Sequence, residues 1–178
     1  NDLWTDKKIK TEIKKVFHLI SGLGSGGAQG VLARLVTNEK KYTHTIISFI
    51  DFGIYEEYFK NFGINLIKLD MRKGRFGLTG FIKLCKIIKK NKPDVIQTWM
   101  YHADIIGGIV GKIFKVKKIF WNIRNSNLNT EWASYSTIFI SRVCAYLSNY
   151  IPTRIISCSN KSKEVHVSFG YKDQKIKI

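Results

Sequence analysis

Cysteine is scarce in this chain, and the residues present follow no pattern. Cys85, Cys144 and Cys158 are odd in number and widely spaced. They supply no disulfide framework, no C-x-x-C pair and no zinc-ligand spacing, so a reducing cytoplasm is expected. Histidine is equally sparse: His18, His44, His102 and His166 are scattered, which argues against a histidine metal centre. No apolar run approaches the roughly 18 residues of a membrane-crossing helix. No signal-peptide core precedes Val16. Acids are few: 13 Asp and Glu stand against 30 Lys and Arg, for a net charge of +17. Such an excess implies an anionic partner (phosphates, acidic lipid headgroups or nucleic acid) or, more blandly, a solvated lysine face. Lysine outnumbers arginine, which favours diffuse attraction over bidentate phosphate recognition.

What is present is a strand–glycine–helix unit. The apolar run from Val16 to Ile20 feeds Gly22, Gly24, Gly26 and Gly27, and a helix with Val31, Leu32, Leu35 and Val36 on one face follows. That layout brings backbone N–H groups and a helix N-terminus up to a phosphate or another anion. Gly22-x-Gly24-x-x-Gly27 also fits a dinucleotide fingerprint, with Asp51 placed as a ribose-binding acid. A turn that only packs strand on helix fits the same residues. No G-K-[ST] follows, which excludes a P-loop.

Further along, the chain alternates. Strands are expected at 42–50, 64–69, 95–98, 117–123 and 154–159. Helices are expected at 55–62, from Leu78 to the stop at Pro93, from an Asp104 cap to about 114, at about 131–150, and at 160–169 before Gly170. Gly107, Gly108 and Gly111 predict a helix packed close to a neighbour. Repeated β-α-β-α order implies an α/β fold, a doubly wound, Rossmann-like parallel sheet with helices on both faces. Ligands bind beyond the carboxyl ends of such strands, so the exit loops are the places to search. Residues 1–14 read as a polar leader or expression remnant, and 175–178 as the start of another strand in a longer protein.

Several ordered motifs then resemble a family. Gly26-Gly27-Ala28-Gln29 after the first strand, Lys-Pro-Asp-Val-Ile at 92–96, Trp-Met-Tyr-His-Ala-Asp at 99–104, Trp-Asn-Ile-Arg-Asn-Ser at 121–126 and Ser-Asn-Lys-Ser-Lys…His…Gly-Tyr-Lys at 159–172 carry it. They look like the amino-terminal domain of retaining GT-B glycosyltransferases, of the family 4-like class that builds bacterial polysaccharides. The resemblance implies a GT-B enzyme of two Rossmann-like domains, of which residues 15–178 are the acceptor-binding half. The nucleotide-sugar domain, with its Glu-x7-Glu element, lies outside this chain, so the chain alone is not expected to be a competent enzyme.

The resemblance also implies roles. Gly26, Gly27, Ala28 and Gln29 would face the diphosphate and the acceptor. His102 would be the active-site histidine, although relatives commonly carry it in the Trp99 region of this loop. Arg124 would pair with a phosphate or sugar carboxylate, and Asn125, Ser126 and Asn127 would bind sugar hydroxyls. The donor would be a UDP-sugar such as UDP-GalNAc. The acceptor would be a saccharide on undecaprenyl diphosphate, as in O-antigen assembly. No metal or other cofactor and no nucleic-acid partner is expected. The 78–90 helix, the cluster Lys112, Lys115, Lys117 and Lys118, and the apolar 133–150 segment fit an anionic membrane surface, the cytoplasmic face of the inner membrane. Two rivals remain: an NAD-dependent enzyme using Asp51, and a nucleic-acid module with aromatics on an exposed basic sheet.

Overall fold

The computed structural model describes residues 15–71, 77–128 and 134–178. The 1–14 leader, most of the basic loop after Asp70 and the expected start of the 131–150 helix lie outside the described residues. Seven strands form one sheet, every pairing parallel: β1 (Lys15–Ile20), β2 (Thr43–Ser48), β3 (Asn65–Lys68), β4 (Val95–Trp99), β5 (Lys118–Ile123), β6 (Arg154–Ser157) and β7 (Ile176–Lys177). Their spatial order is β3-β2-β1-β4-β5-β6-β7. The helices between them are α1 (Gly27–Asn38), α2 (Glu56–Asn61), α3 (Leu78–Asn91), α4 (Tyr101–Ile113), α5 (Tyr135–Leu147) and α6 (Asn160–Ser168). This is the expected Rossmann-like α/β sheet.

Every residue of β4 is buried, as is every residue of β1 after Lys15. Strands covered on both faces need side chains that tolerate burial in both directions, hence the near-continuous apolar sequences of β1 and β4. Cores lie to either side of the sheet. Leu32, Val36, Phe59 and Ile46 pack together with Trp99, and Leu19, Ile96, Leu84, Ile88 and Val110 form another cluster.

The strand after Pro93 leads into its helix more abruptly than the sequence implies. The 99–103 stretch is not an exit loop: β4 runs through Trp99, α4 starts at Tyr101, and only Met100 separates them, at φ 73°. Asp104 is therefore not the cap. It lies inside the first turn, fully buried, and accepts a hydrogen bond from the Thr98 hydroxyl. The competing force is burial: the carboxyl turns toward the sheet and the helix N-terminus goes without a side-chain cap. Helix α5 begins after Ser134, which accepts from the Thr137 N–H at 3.3 Å, and ends at Leu147 rather than near 150.

Helix α4 lies directly on the sheet, as its glycines foretell. A Cβ on Gly107 would sit 2.6 Å from Thr98 Cγ2 and 2.8 Å from Leu19 Cδ2. Gly107→Ala is expected to cost about 1–3 kcal/mol by overpacking, despite alanine's better helix propensity. Gly24→Ala, with nothing within 4 Å of its added carbon, should change stability by about 0.5 kcal/mol or less. Urea denaturation of both variants checks the contrast.

Candidate functional site

The strand order reverses between β1 and β4, so their following helices leave to opposite sides and open a crevice at the carboxyl ends. A cavity of about 440 Å³ occupies that place. Four strand exits build it: Gly26 to Gln29 after β1, Met100 after β4, Arg124 and Asn125 after β5, and Cys158 after β6, with Val31 completing the wall. No acidic residue among the described ones lines it.

The N-terminus of α1 reaches the cavity without a side-chain cap. α1 begins at Gly27 behind an extended Gly26, and its first hydrogen bond back runs from Gly30 N–H to Gly26 O at 3.1 Å. No acid lies in that first turn. The N–H groups of Gly27, Ala28 and Gln29 therefore have no partner within the helix, and they sit at the positive end of its dipole. Gln29 folds back, its side-chain amide donating to Gly22 O at 3.1 Å, so that its Oε1 lies 2.5 Å from where a Gly26 Cβ would stand. Any side chain at Gly26 has to displace Gln29. Behind Met100, α4 is likewise uncapped.

Among the described lining residues, Arg124 supplies the one full charge. Its guanidinium carbon lies 5.2 Å from the centre of the Trp99 ring, a cation–π contact with a fully buried indole. It forms no salt bridge among the described residues, and its buried Nε has no hydrogen-bond partner. Partial burial lowers its pKa, yet guanidinium stays protonated in proteins. A half-buried cation with no salt bridge among the described residues, beside the positive end of the α1 dipole, is a receptor for an anion.

The neighbouring wall is braced from beneath. Ser162 Oγ donates to Asn125 O at 2.8 Å, and Cys158 Sγ lies 3.4 Å from Arg124 O. Tyr101 pairs with His166 Nε2 at 2.8 Å, and His166 Nδ1 donates to Ser162 O at 2.7 Å. The motifs at 99–104 and 159–172 contain Tyr101, Ser162 and His166 but do not pair them. The signal was available in part: His166 sits four residues after Ser162, one turn along the same helix.

The structure brings Gly26, Gly27, Ala28, Gln29, Arg124 and Asn125 together on one lining. It does not bring His102 or Ser126 onto it. His102 is exposed in the first turn of α4, with a pKa lowered by desolvation, and Ser126 is exposed beside Asn125. Asp51 is exposed and also off the lining. Among the described residues no group of three or more His, Cys, Asp or Glu is placed to hold a metal ion.

No protein-family model matches this chain, and no curated protein matches it in sequence. Solved structures match its fold. Anabaena Alr3699/HepE in complex with UDP and glucose superposes with a TM-score of 0.76 at 19% identity, over 92% of this chain and 43% of that one. UDP-GlcNAc 2-epimerase from Neisseria meningitidis bound to UDP-GlcNAc gives 0.59 at 14%, over 92% and 45%. The enzyme from Methanocaldococcus jannaschii gives 0.61 at 12%, over 92% and 45%. At these identities the likeness is one of fold, a Rossmann-like half of the GT-B architecture. The chain spans less than half the length of each.

Burial sets a pH dependence. Desolvation lowers the pKa of His18, assisted by His44, and lowers those of His44 and His166. Their unfolded values lie near 6.5, so below that pH the unfolded chain binds protons that the folded chain refuses. The stability they contribute is complete above about pH 6.5 and is lost as pH falls below it. Asp104 works in reverse. Burial raises its pKa well above the ordinary carboxylate value, against the Thr98 hydrogen bond; its penalty shrinks as pH falls. Asp104→Asn removes that opposing effect, so its melting temperature should drop more steeply than wild type between pH 7.5 and 5.5. Calorimetric scans across that range test the sign.

Proposed function

We propose that this chain is the acceptor-side half of a nucleotide-sugar-dependent glycosyltransferase. One observation carries the reading: the uncapped α1 N-terminus and Arg124, which has no salt bridge among the described residues, face the same cavity at the switch point of the sheet. That arrangement suits a diphosphate. When the bond between the sugar's anomeric carbon and the diphosphate oxygen breaks, the electron pair stays with the leaving oxygen. The N–H groups of Gly27 and Ala28 and the Arg124 guanidinium are placed to stabilise that charge. Asn125 would hydrogen-bond a sugar hydroxyl, with His102 and Ser126 joining from the neighbouring surface. His102 would serve as the active-site histidine.

Several of the solved neighbours are complexes with UDP, UDP-glucose or UDP-GlcNAc, which supports a UDP-sugar as donor. A retaining reaction without a metal cofactor, a UDP-GalNAc donor and an undecaprenyl-diphosphate saccharide acceptor for O-antigen complete the reading. A lipid-linked acceptor would place the protein peripherally at the cytoplasmic face of the inner membrane. Leu78 and Ile82 are exposed on α3 among exposed Lys83, Lys86, Lys89 and Lys90, which supports such contact. No described helix is long and apolar enough to cross a membrane.

The NAD reading loses support because Asp51 is off the lining. The nucleic-acid reading needs an exposed basic sheet, and the central strands are covered on both faces.

Calorimetric titration with UDP-glucose tests the proposal. Binding is expected to weaken with added salt, and Arg124→Ala to weaken it about tenfold or more through loss of a charged hydrogen bond. Heat with NADH but none with UDP-glucose, or binding indifferent to Arg124, would overturn it.

A further inference from the structure

Behind Arg124 runs a chain of side chains that the proposed chemistry does not use. The Trp99 indole Nε1–H lies 3.5 Å from His18 Nδ1. His18 Nε2 lies 2.9 Å from His44 Nδ1, and His44 Nε2 lies 3.2 Å from Glu39 Oε2. Trp99, His18 and His44 are buried, and Glu39 follows the last turn of α1 with its side chain a quarter exposed. The far end is anchored: the backbone N–H groups of Lys41 and Tyr42 donate to the Glu39 carboxylate at 3.0 and 2.9 Å.

The protons in this chain follow from chemistry at its two ends. An indole N–H only donates, and an ionised carboxylate only accepts. Starting from Trp99, His18 Nδ1 has to accept, so its proton sits on Nε2. That N–H donates to His44 Nδ1, which puts the His44 proton on Nε2, facing Glu39. Starting from Glu39 gives the same tautomers in the opposite order. Two independent ends agree on one state, with both imidazoles neutral. A further proton on either ring would set N–H against N–H.

We propose that Glu39, His44 and His18 form a positioning relay that fixes the Trp99 indole and, through it, the guanidinium of Arg124 on the cavity wall. Trp99 is the ring against which that guanidinium lies; among the described residues Arg124 forms no salt bridge, and its buried Nε has no hydrogen-bond partner. The carboxylate orders the first imidazole, the first imidazole orders the second, and the second holds the ring on which the cation rests. The inference rests on Arg124 as the anion-binding group for its purpose, but its test needs no ligand.

Long-range ¹H–¹⁵N spectra of the histidine rings, with the side-chain proton shifts of Arg124, decide it. At pH 7.5 both His18 and His44 should be neutral Nε2–H tautomers, and the Arg124 side-chain protons should show an upfield ring-current shift from Trp99. Glu39→Gln keeps an acceptor oxygen and should keep both features. Glu39→Lys offers only donors. His44 and then His18 should invert to Nδ1–H, opposing the indole N–H, and the Arg124 ring-current shift should fall by half or more while the α3 to α6 amide spectrum holds. An Nδ1–H or protonated ring in the wild type overturns the relay. So does retention of both tautomers in Glu39→Lys, or inversion there with the Arg124 shift unchanged. If Glu39→Lys does not fold, the wild type and Glu39→Gln decide alone. Failure of UDP-glucose to bind would leave these readings untouched.

Discussion

The pairing of β1 with β4 is the constraint on which the rest depends. Val16 to Ile20 align with Val95 to Trp99, so strands far apart in sequence become central neighbours. Once they pair in parallel, β2 and β3 extend the sheet one way and β5 to β7 the other. The helices after β1 and β4 leave to opposite sides, and the first turn of α1 and Met100 before α4 border one gap. Burial of both faces of these strands requires apolar sequence. It also requires close approach of α4, which Gly107, Gly108 and Gly111 permit. The cavity follows from topology, and its chemistry from the few residues at the strand exits.

Electrostatics gives that cavity its character. The chain carries a net charge of +17, yet among the described residues the lining holds a single arginine and no lysine. The excess of lysine therefore describes the outer surface, where it acts diffusely and is screened by salt. Selectivity at the cavity comes from fixed elements instead: backbone N–H groups at α1 and a guanidinium seated on a buried indole. These lose little freedom on meeting an anion, which is the advantage of preorganisation.

Much of this architecture is legible in the residues. The β-α alternation, the glycine turn and the small-residue face of α4 all signal themselves, because periodicity and glycine have direct backbone consequences. The α4 start was misread because Asp104 resembles a cap, while its carboxyl is drawn inward to Thr98. His18 and His44 looked scattered because sequence distance hides register. With β1 and β2 parallel, His18 lies opposite Ile46, two residues from His44 and on the same face of the sheet. Aligning the two strands would have exposed the pair. The resemblance groups Arg124 with Gly26 to Gln29, which no local pattern does, and the strand order puts them on one lining. The placement of His102 depends on side-chain direction at a helix start, and its residue type alone does not specify that.

The most direct measurement is a crystal structure of this chain soaked with UDP-glucose. Density for the diphosphate is expected against the N–H groups of Gly27 and Ala28 and within hydrogen-bond reach of Arg124. Nucleotide density at another surface, with this cavity empty, would contradict the assignment of the cavity as the diphosphate site.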